Sequence, residues 1–224
     1  MKTIVKGVVS AALGLVAFGL MLFLPAGTFH YWQAWVFLAV FALASWIPSV
    51  YLMRTNPEAL ERRMRVGPSA ETRPLQRILI TVVFISFPVM FVVSALDHRF
   101  GWSPVPTSVS VIGDVLVAIG LGLAMLVIIQ NSYAAANVTV EAGQQLVSTG
   151  LYGLVRHPMY TGNVVLMLGI PLALGSYWGF FLLIPGMLVL VLRIRDEEKL
   201  LTHELSGYRE YEQKVHYRLL PYVW

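Results

Sequence analysis

Residues able to do chemistry concentrate in two short runs of this chain. The first is Gly150-Leu151-Tyr152 followed by Arg156-His157-Pro158-Met159-Tyr160; the second is Arg193 with Asp196, Glu197 and Glu198. Pro158 suits the first turn of a helix, where its missing N–H would have had no partner anyway. Arg156 and His157 then flank a helix N-terminus, where unpaired amides and the helix dipole attract an anion. Arg193 and Glu197 are four apart and share a helical face, while Glu198 points about 100° away from Glu197. Each piece also has a plainer reading. Arg156, Arg193 and Arg195, taken singly, are anchors of a positively charged membrane face. Glu197 and Glu198 are a solvated face or an ion-pair partner for Arg193. Tyr152 and Tyr160 belong equally to an aromatic belt. His157 has no neighbour at metal-ligand spacing, and His203 and His216 are scattered, so no metal is expected. The chain has no cysteine, which excludes disulfides, thiolate metal sites and cysteine nucleophiles.

The elements that hold these residues are set by composition. Of 224 residues, 57% are apolar and only 12% charged, against about 25% charged in an ordinary soluble domain. That excludes a disordered chain, a basic nucleic-acid binder and most water-soluble enzymes, and leaves an all-α, polytopic membrane bundle. Six apolar stretches run over 7–24, 31–53, 75–96, 107–130, 159–175 and 177–192. The first four reach the length of about 20 residues that crosses a bilayer core; the last two fall short of it. Gly175-Ser176 joins those two so closely that they form a tight helical hairpin, whose two cytoplasmic ends bring the chemical runs together. Basic residues set the orientation: Lys2 and Lys6, then Arg54, Arg62, Arg63, Arg65, Arg73 and Arg77, then Arg156, Arg193 and Arg195 share one side if all six stretches cross. Both termini are then cytoplasmic, with the bacterial inner membrane as the expected location. The rival, a cleaved signal peptide over 1–24, lacks a good cleavage motif.

The chain reads as a single membrane domain, with four spans over 1–130 and the loop, hairpin and tail over 131–224. Residues 54–74 and 131–157 are polar connections. The tail, 193–224, holds six basic and six acidic residues. Leu201, Leu205 and Tyr208 recur at helical spacing, Ser206-Gly207 interrupts that helix, and Tyr211 and Val215 continue an apolar stripe expected to lie on the membrane surface. Asp114 is the one acidic residue within a span, expected as an interfacial charge near its outer end.

The order GLYGLVRHPMYTGNVV, a short hairpin, RIRDEEKLL, GYREYEQKV and a closing LLPYVW resembles the isoprenylcysteine carboxyl methyltransferase family in its bacterial branch, itself related to the phospholipid methyltransferases. The resemblance is strongest over 131–224 and extends to RTNPEALERRMR and LDHRFGW. Leu151 departs from it, since Pro is more usual there. The resemblance implies an S-adenosylmethionine-dependent enzyme without the nucleotide-binding domain of soluble methyltransferases. Gly120-Leu121-Gly122 lies inside a span and is no dinucleotide fingerprint.

By the same resemblance, Gln144, Gln145, Leu146 and Val147 fall where that family contacts the cofactor. Tyr152 and the Arg156, His157, Pro158, Met159 and Tyr160 element match its motif, Glu197 matches the cofactor-binding glutamate, and Arg193 falls at a substrate-contacting arginine. The cofactor's carboxylate would sit at the 158–160 helix end with Arg156 or His157, its ammonium or ribose at Glu197, and its adenine or sulfonium against Tyr152 and Tyr160. A carboxylate acceptor needs no base; an amine must shed a proton, with Glu198 or His157 as the helpers. The acceptor is lipid-like and reaches the pocket from the membrane: a prenylcysteine carboxylate, a phospholipid amine or a quinone-like phenol. Two other classes compete. One is a sterol-reductase-like enzyme using a nicotinamide cofactor; the other is a non-catalytic transporter or assembly factor that binds no nucleoside.

Overall fold

The computed structural model describes residues 2–64, 67–71, 73–134, 138–140 and 143–224, and the side chains of all of these but 2–9, 63, 64 and 70. Arg65 and the side chains of Lys2, Lys6 and Arg63, part of the charge pattern above, lie outside the described residues. Among the described residues eight α-helices follow one another: α1 (Lys2–Ala26), α2 (Trp32–Thr55), α3 (Pro57–Met64), α4 (Pro74–Phe100), α5 (Thr107–Gln130), α6 (Pro158–Ala173), α7 (Leu183–Glu204) and α8 (Tyr208–Lys214). No strand occurs among the described residues. The chain is a polytopic helical membrane protein.

Among the described residues four elements are long and apolar enough to cross a membrane: α2, α4, α5 and the segment Trp178–Glu204, in which a short turn feeds α7. At 1.5 Å per residue, 24 to 27 residues reach about 36–40 Å, more than the roughly 30 Å hydrocarbon core. α6 is shorter, at 16 residues. Leu13 and Leu20 on α1, and Ile47, Ile85, Ile112 and Ile184 on α2, α4, α5 and α7, are exposed large side chains. Lipid is the solvent that suits them, and a helix suits lipid because it satisfies its own backbone.

The apolar run of the last span stops at 192, and the helix runs on, as the spacing of Arg193, Glu197, Leu201 and Leu205 anticipates: α7 continues to Glu204 and carries Arg193, Asp196, Glu197 and Glu198 within its length. Apolarity marks where lipid-facing surface stops, and the helix persists because these charges find partners.

The chain divides into two compact units. The first comprises Met1–Pro48, Ser86–Ile119 and Val165–Ile184. Its interior holds Phe18, Phe37, Phe41 and Phe91 in edge and tilted contacts. Asp97 is buried and accepts from the Ser103 amide, the Ser103 hydroxyl and the Ser176 hydroxyl, which fixes the turn after α6. Asp114, expected at an exposed interface, is only 5% exposed, and neither carboxylate oxygen has a partner among the described residues.

The second unit comprises Ser49–Ile85, Gly120–Val164 and Pro185–Trp224. Here α5 and α6 approach so closely that a Cβ on Gly162 would meet the Gly120 carbonyl oxygen at 2.9 Å. Glycine is the residue that permits such an approach. α7 ends as anticipated at Ser206-Gly207, where Gly207 takes φ 81° and lets the chain turn into α8. The apolar stripe of the tail, however, does not lie bare. Leu205, Tyr208, Tyr211 and Val215 are buried together against Val140, Leu146, Tyr152 and Leu201. The partner of this amphipathic surface is the 138–152 loop, which offers apolar side chains of its own.

Candidate functional site

The second unit contains a cleft of about 820 Å³, counting its open mouth. Gln144, Gln145, Leu146, Val147, Tyr152, Arg156, His157, Pro158, Met159, Tyr160 and Glu197 all line it. Asn131, Tyr133, Leu201, Leu205, Tyr208 and Tyr211 also line it; none of these was expected there. Arg193 and Glu198 are not in the lining. They reach it through Tyr160 and His157.

The loop wall is built around the turn at 150–153, which begins at Gly150 with φ 61°. The Leu151 amide donates to Gln130 Oε1 at 3.1 Å. A proline there could not make this bond, so the departure at Leu151 carries a local anchor of its own. The Tyr152 hydroxyl accepts from Asn131 Nδ2 at 3.1 Å, and its carbonyl accepts from the Tyr211 hydroxyl at 2.7 Å. Burial pushes the Tyr152 hydroxyl up to about 12, against a lowering by the Asn131 bond and a further rise from Glu197. Burial likewise raises Tyr208 and Tyr211 well above the ordinary tyrosine range. All three stay neutral at physiological pH.

The N-terminus of α6 is held from outside by the end of the chain. The Arg156 and His157 amides donate to the Tyr217 and Arg218 carbonyls at 2.8 and 2.9 Å, and the Thr161 hydroxyl donates to the Leu219 carbonyl at 2.7 Å. The anion expected beside Arg156 and His157 is present, but it belongs to the protein. Glu198 receives Arg156 Nη2 at 3.0 Å and Arg218 Nε at 2.8 Å, and His157 Nε2 lies 3.3 Å away. Arg156 Nη1 turns to Glu212 at 3.1 Å. The carboxylate, under a tenth exposed, is thereby compensated by two guanidiniums, the arrangement a buried charge requires. Arg156 Nε remains without a partner among the described residues.

The second chain of contacts runs from α6 to the α3–α4 connection. The Tyr160 hydroxyl donates to Glu197 Oε2 at 2.6 Å and accepts from Arg193 Nε at 3.0 Å. Arg193 Nη2 pairs with Glu71 Oε1 at 2.8 Å, with both side chains almost wholly buried. Arg193 and Glu197 do share a helical face, and Tyr160 stands between them. One turn on, Asp196 takes Arg73 Nη2 at 2.8 Å and Gln76 Nε2 at 2.6 Å. Glu71, Arg73 and Gln76 thus grip α7 at the turn that presents Glu197. Sequence spacing did not point to Glu71, because the pair closes across 122 residues. Its one signal was being an acid amid the arginines of that connection.

Chemically, the cleft has two ends. Glu197, Tyr160, His157 and Arg156 give a polar end with an acceptor and donors. Leu146, Leu201, Leu205, Tyr152, Tyr208 and Tyr211 give an apolar, aromatic end. Such a site suits a ligand with a polar, charged part and a flat apolar part.

Comparison with known proteins points to the same region. Residues 109–208 match the family described as phospholipid methyltransferase. The match takes in α5, the cleft loop, α6 and α7, and it ends at Tyr208. Phospholipid methyltransferases belong to the same broad membrane methyltransferase group as the isoprenylcysteine carboxyl methyltransferases. A delta(14)-sterol reductase of Mus musculus is 33% identical over 90 residues, which is 39% of this chain and 22% of the reductase. The match therefore spans about a fifth of that relative's length.

Proposed function

We propose that this chain is an integral-membrane methyltransferase that binds S-adenosylmethionine in the cleft of its second unit and methylates a lipid-like acceptor. The observation that carries the reading is the convergence of 144–147, Tyr152, 156–160 and Glu197 on one cleft, all of it inside the segment that matches phospholipid methyltransferases. The cofactor fits the donor set. Glu197 offers an acceptor for its ammonium or ribose hydroxyls, the tyrosines offer faces for its base or sulfonium, and buried Arg156 keeps an unpartnered N–H for an acceptor atom. When bound, it supplies a methyl group already activated by a positive sulfur.

The protein's part is then orientation and exclusion of water. Tyr160 fixes the Glu197 carboxylate by a short hydrogen bond, and Arg193, held by Glu71, fixes Tyr160 in turn. Arg193 is proposed to act on the acceptor end of the site through this hydroxyl. Glu198 is proposed as the anchor that steadies His157 and Arg156, since its oxygens are already engaged by three side chains. An ionised carboxylate acceptor, as in a prenylcysteine, would need no base. An amine acceptor would hand its proton toward His157. Both termini are proposed to be cytoplasmic, in the bacterial inner membrane.

Transfer of labelled methyl from S-adenosylmethionine into solvent-extractable lipid, using membranes that carry the protein, tests the proposal. Label is expected with wild type, and a drop of at least tenfold with Glu197→Gln. Label released as methanol by mild base identifies a carboxylate acceptor; base-stable label identifies an amine or a phenol. No label in either form would remove the reading. The 33% identity to a sterol reductase supports a second reading, nicotinamide-dependent reduction, which predicts cofactor oxidation and no label.

A further inference from the structure

The aromatic end of the cleft holds a polar atom that no interaction described so far uses. Tyr208 is 3% exposed and lines the cleft, and its hydroxyl has no partner among the described residues. Its neighbour in the same cluster, Tyr211, is satisfied by the Tyr152 carbonyl. A buried hydroxyl without a partner destabilises the fold unless something else completes it. Its ring packs with Leu146, Leu201, Leu205 and the Tyr152 and Tyr211 side chains, apolar walls that suit a flat ring, and Glu198, Arg156 and Glu197 lie within electrostatic reach.

We propose that Tyr208 recognises the nucleobase of the bound cofactor, donating its hydroxyl hydrogen to a ring nitrogen of adenine. The inference rests on the reading that the cleft takes a nucleoside cofactor. The hydroxyl is a neutral donor, matched to a neutral acceptor, while Glu197 and Tyr160 take the polar part of the ligand. This places base recognition at the α7–α8 bend, and Gly207 is the residue that lets the chain turn Tyr208 inward.

The test titrates detergent-solubilised wild-type protein and Tyr208→Phe with S-adenosylmethionine, adenosine and NADPH by calorimetry, and records melting without ligand. Tyr208→Phe should weaken S-adenosylmethionine and adenosine by the same factor, about threefold to tenfold, the worth of one hydrogen bond. Its melting midpoint without ligand should be no lower than wild type, because the lost hydroxyl has no partner among the described residues. If wild type binds NADPH and not S-adenosylmethionine, the methyltransferase reading fails. Tyr208 dependence of NADPH and adenosine binding would in that case still uphold base recognition. Equal affinities for wild type and Tyr208→Phe, a loss for S-adenosylmethionine with none for adenosine, or no binding of any of the three would overturn it.

Discussion

Replacing Glu71 by glutamine tests the grip on α7 directly. The Glu71 and Arg193 side chains are 0% and 6% exposed and meet at 2.8 Å. Charge centres about 4 Å apart in surroundings of effective dielectric about 20 attract by roughly 4 kcal/mol. The amide of the glutamine retains a neutral acceptor worth about 1 kcal/mol, so the loss should be near 3 kcal/mol. That agrees with the roughly 3–5 kcal/mol found when one partner of a buried pair is removed. The assay is reversible unfolding in mixed micelles, comparing wild type with Glu71→Gln. Glu71→Leu combined with Arg193→Met should recover more than half of the loss, because no uncompensated charge then remains. A Glu71→Gln loss below about 0.5 kcal/mol, in the range of exposed pairs, would refute the claim that the contact is buried and coupled.

Two further outcomes follow from the same geometry. Gly162→Ala should destabilise by about 1–3 kcal/mol, since its Cβ meets the Gly120 carbonyl oxygen; Gly122→Ala, with nothing within 4 Å of its Cβ, should not, and melting of the two variants compares them. Tyr152 is held up to about 12 in the fold against about 10 in an unfolded chain. Its neutral form therefore contributes stability that is complete below pH 10 and lost as pH rises toward 12. Melting measured from pH 9 to 12 should fall less steeply for Tyr152→Phe than for wild type.

The membrane helices were legible because lipid demands long apolar runs, and little else in the sequence produces them. The two chemical runs were legible because a tight turn at Gly175 forces their ends together. What escaped the sequence was every contact made by the cleft's supports. Glu71 pairs with a residue 122 positions away, a relation that spacing along one helix does not encode. The tail stripe from Leu201 to Val215 had the right period, but a period names a buried face and not its partner; the 138–152 loop takes the place expected of the membrane. The anion beside Arg156 and His157 had the right sign, and is Glu198 of the same chain. Tyr208 could have been drawn into the site from the turn at Ser206-Gly207, which redirects the helix after one more turn of apolar spacing.

The central claim is that Glu197 and the cleft around it hold S-adenosylmethionine, and calorimetric binding to the solubilised protein tests it most directly. The account predicts binding by wild type and at least a tenfold loss in Glu197→Gln, about 1.4 kcal/mol. Well-folded wild-type protein that binds no S-adenosylmethionine, or a Glu197→Gln variant that binds as tightly as wild type, would contradict it.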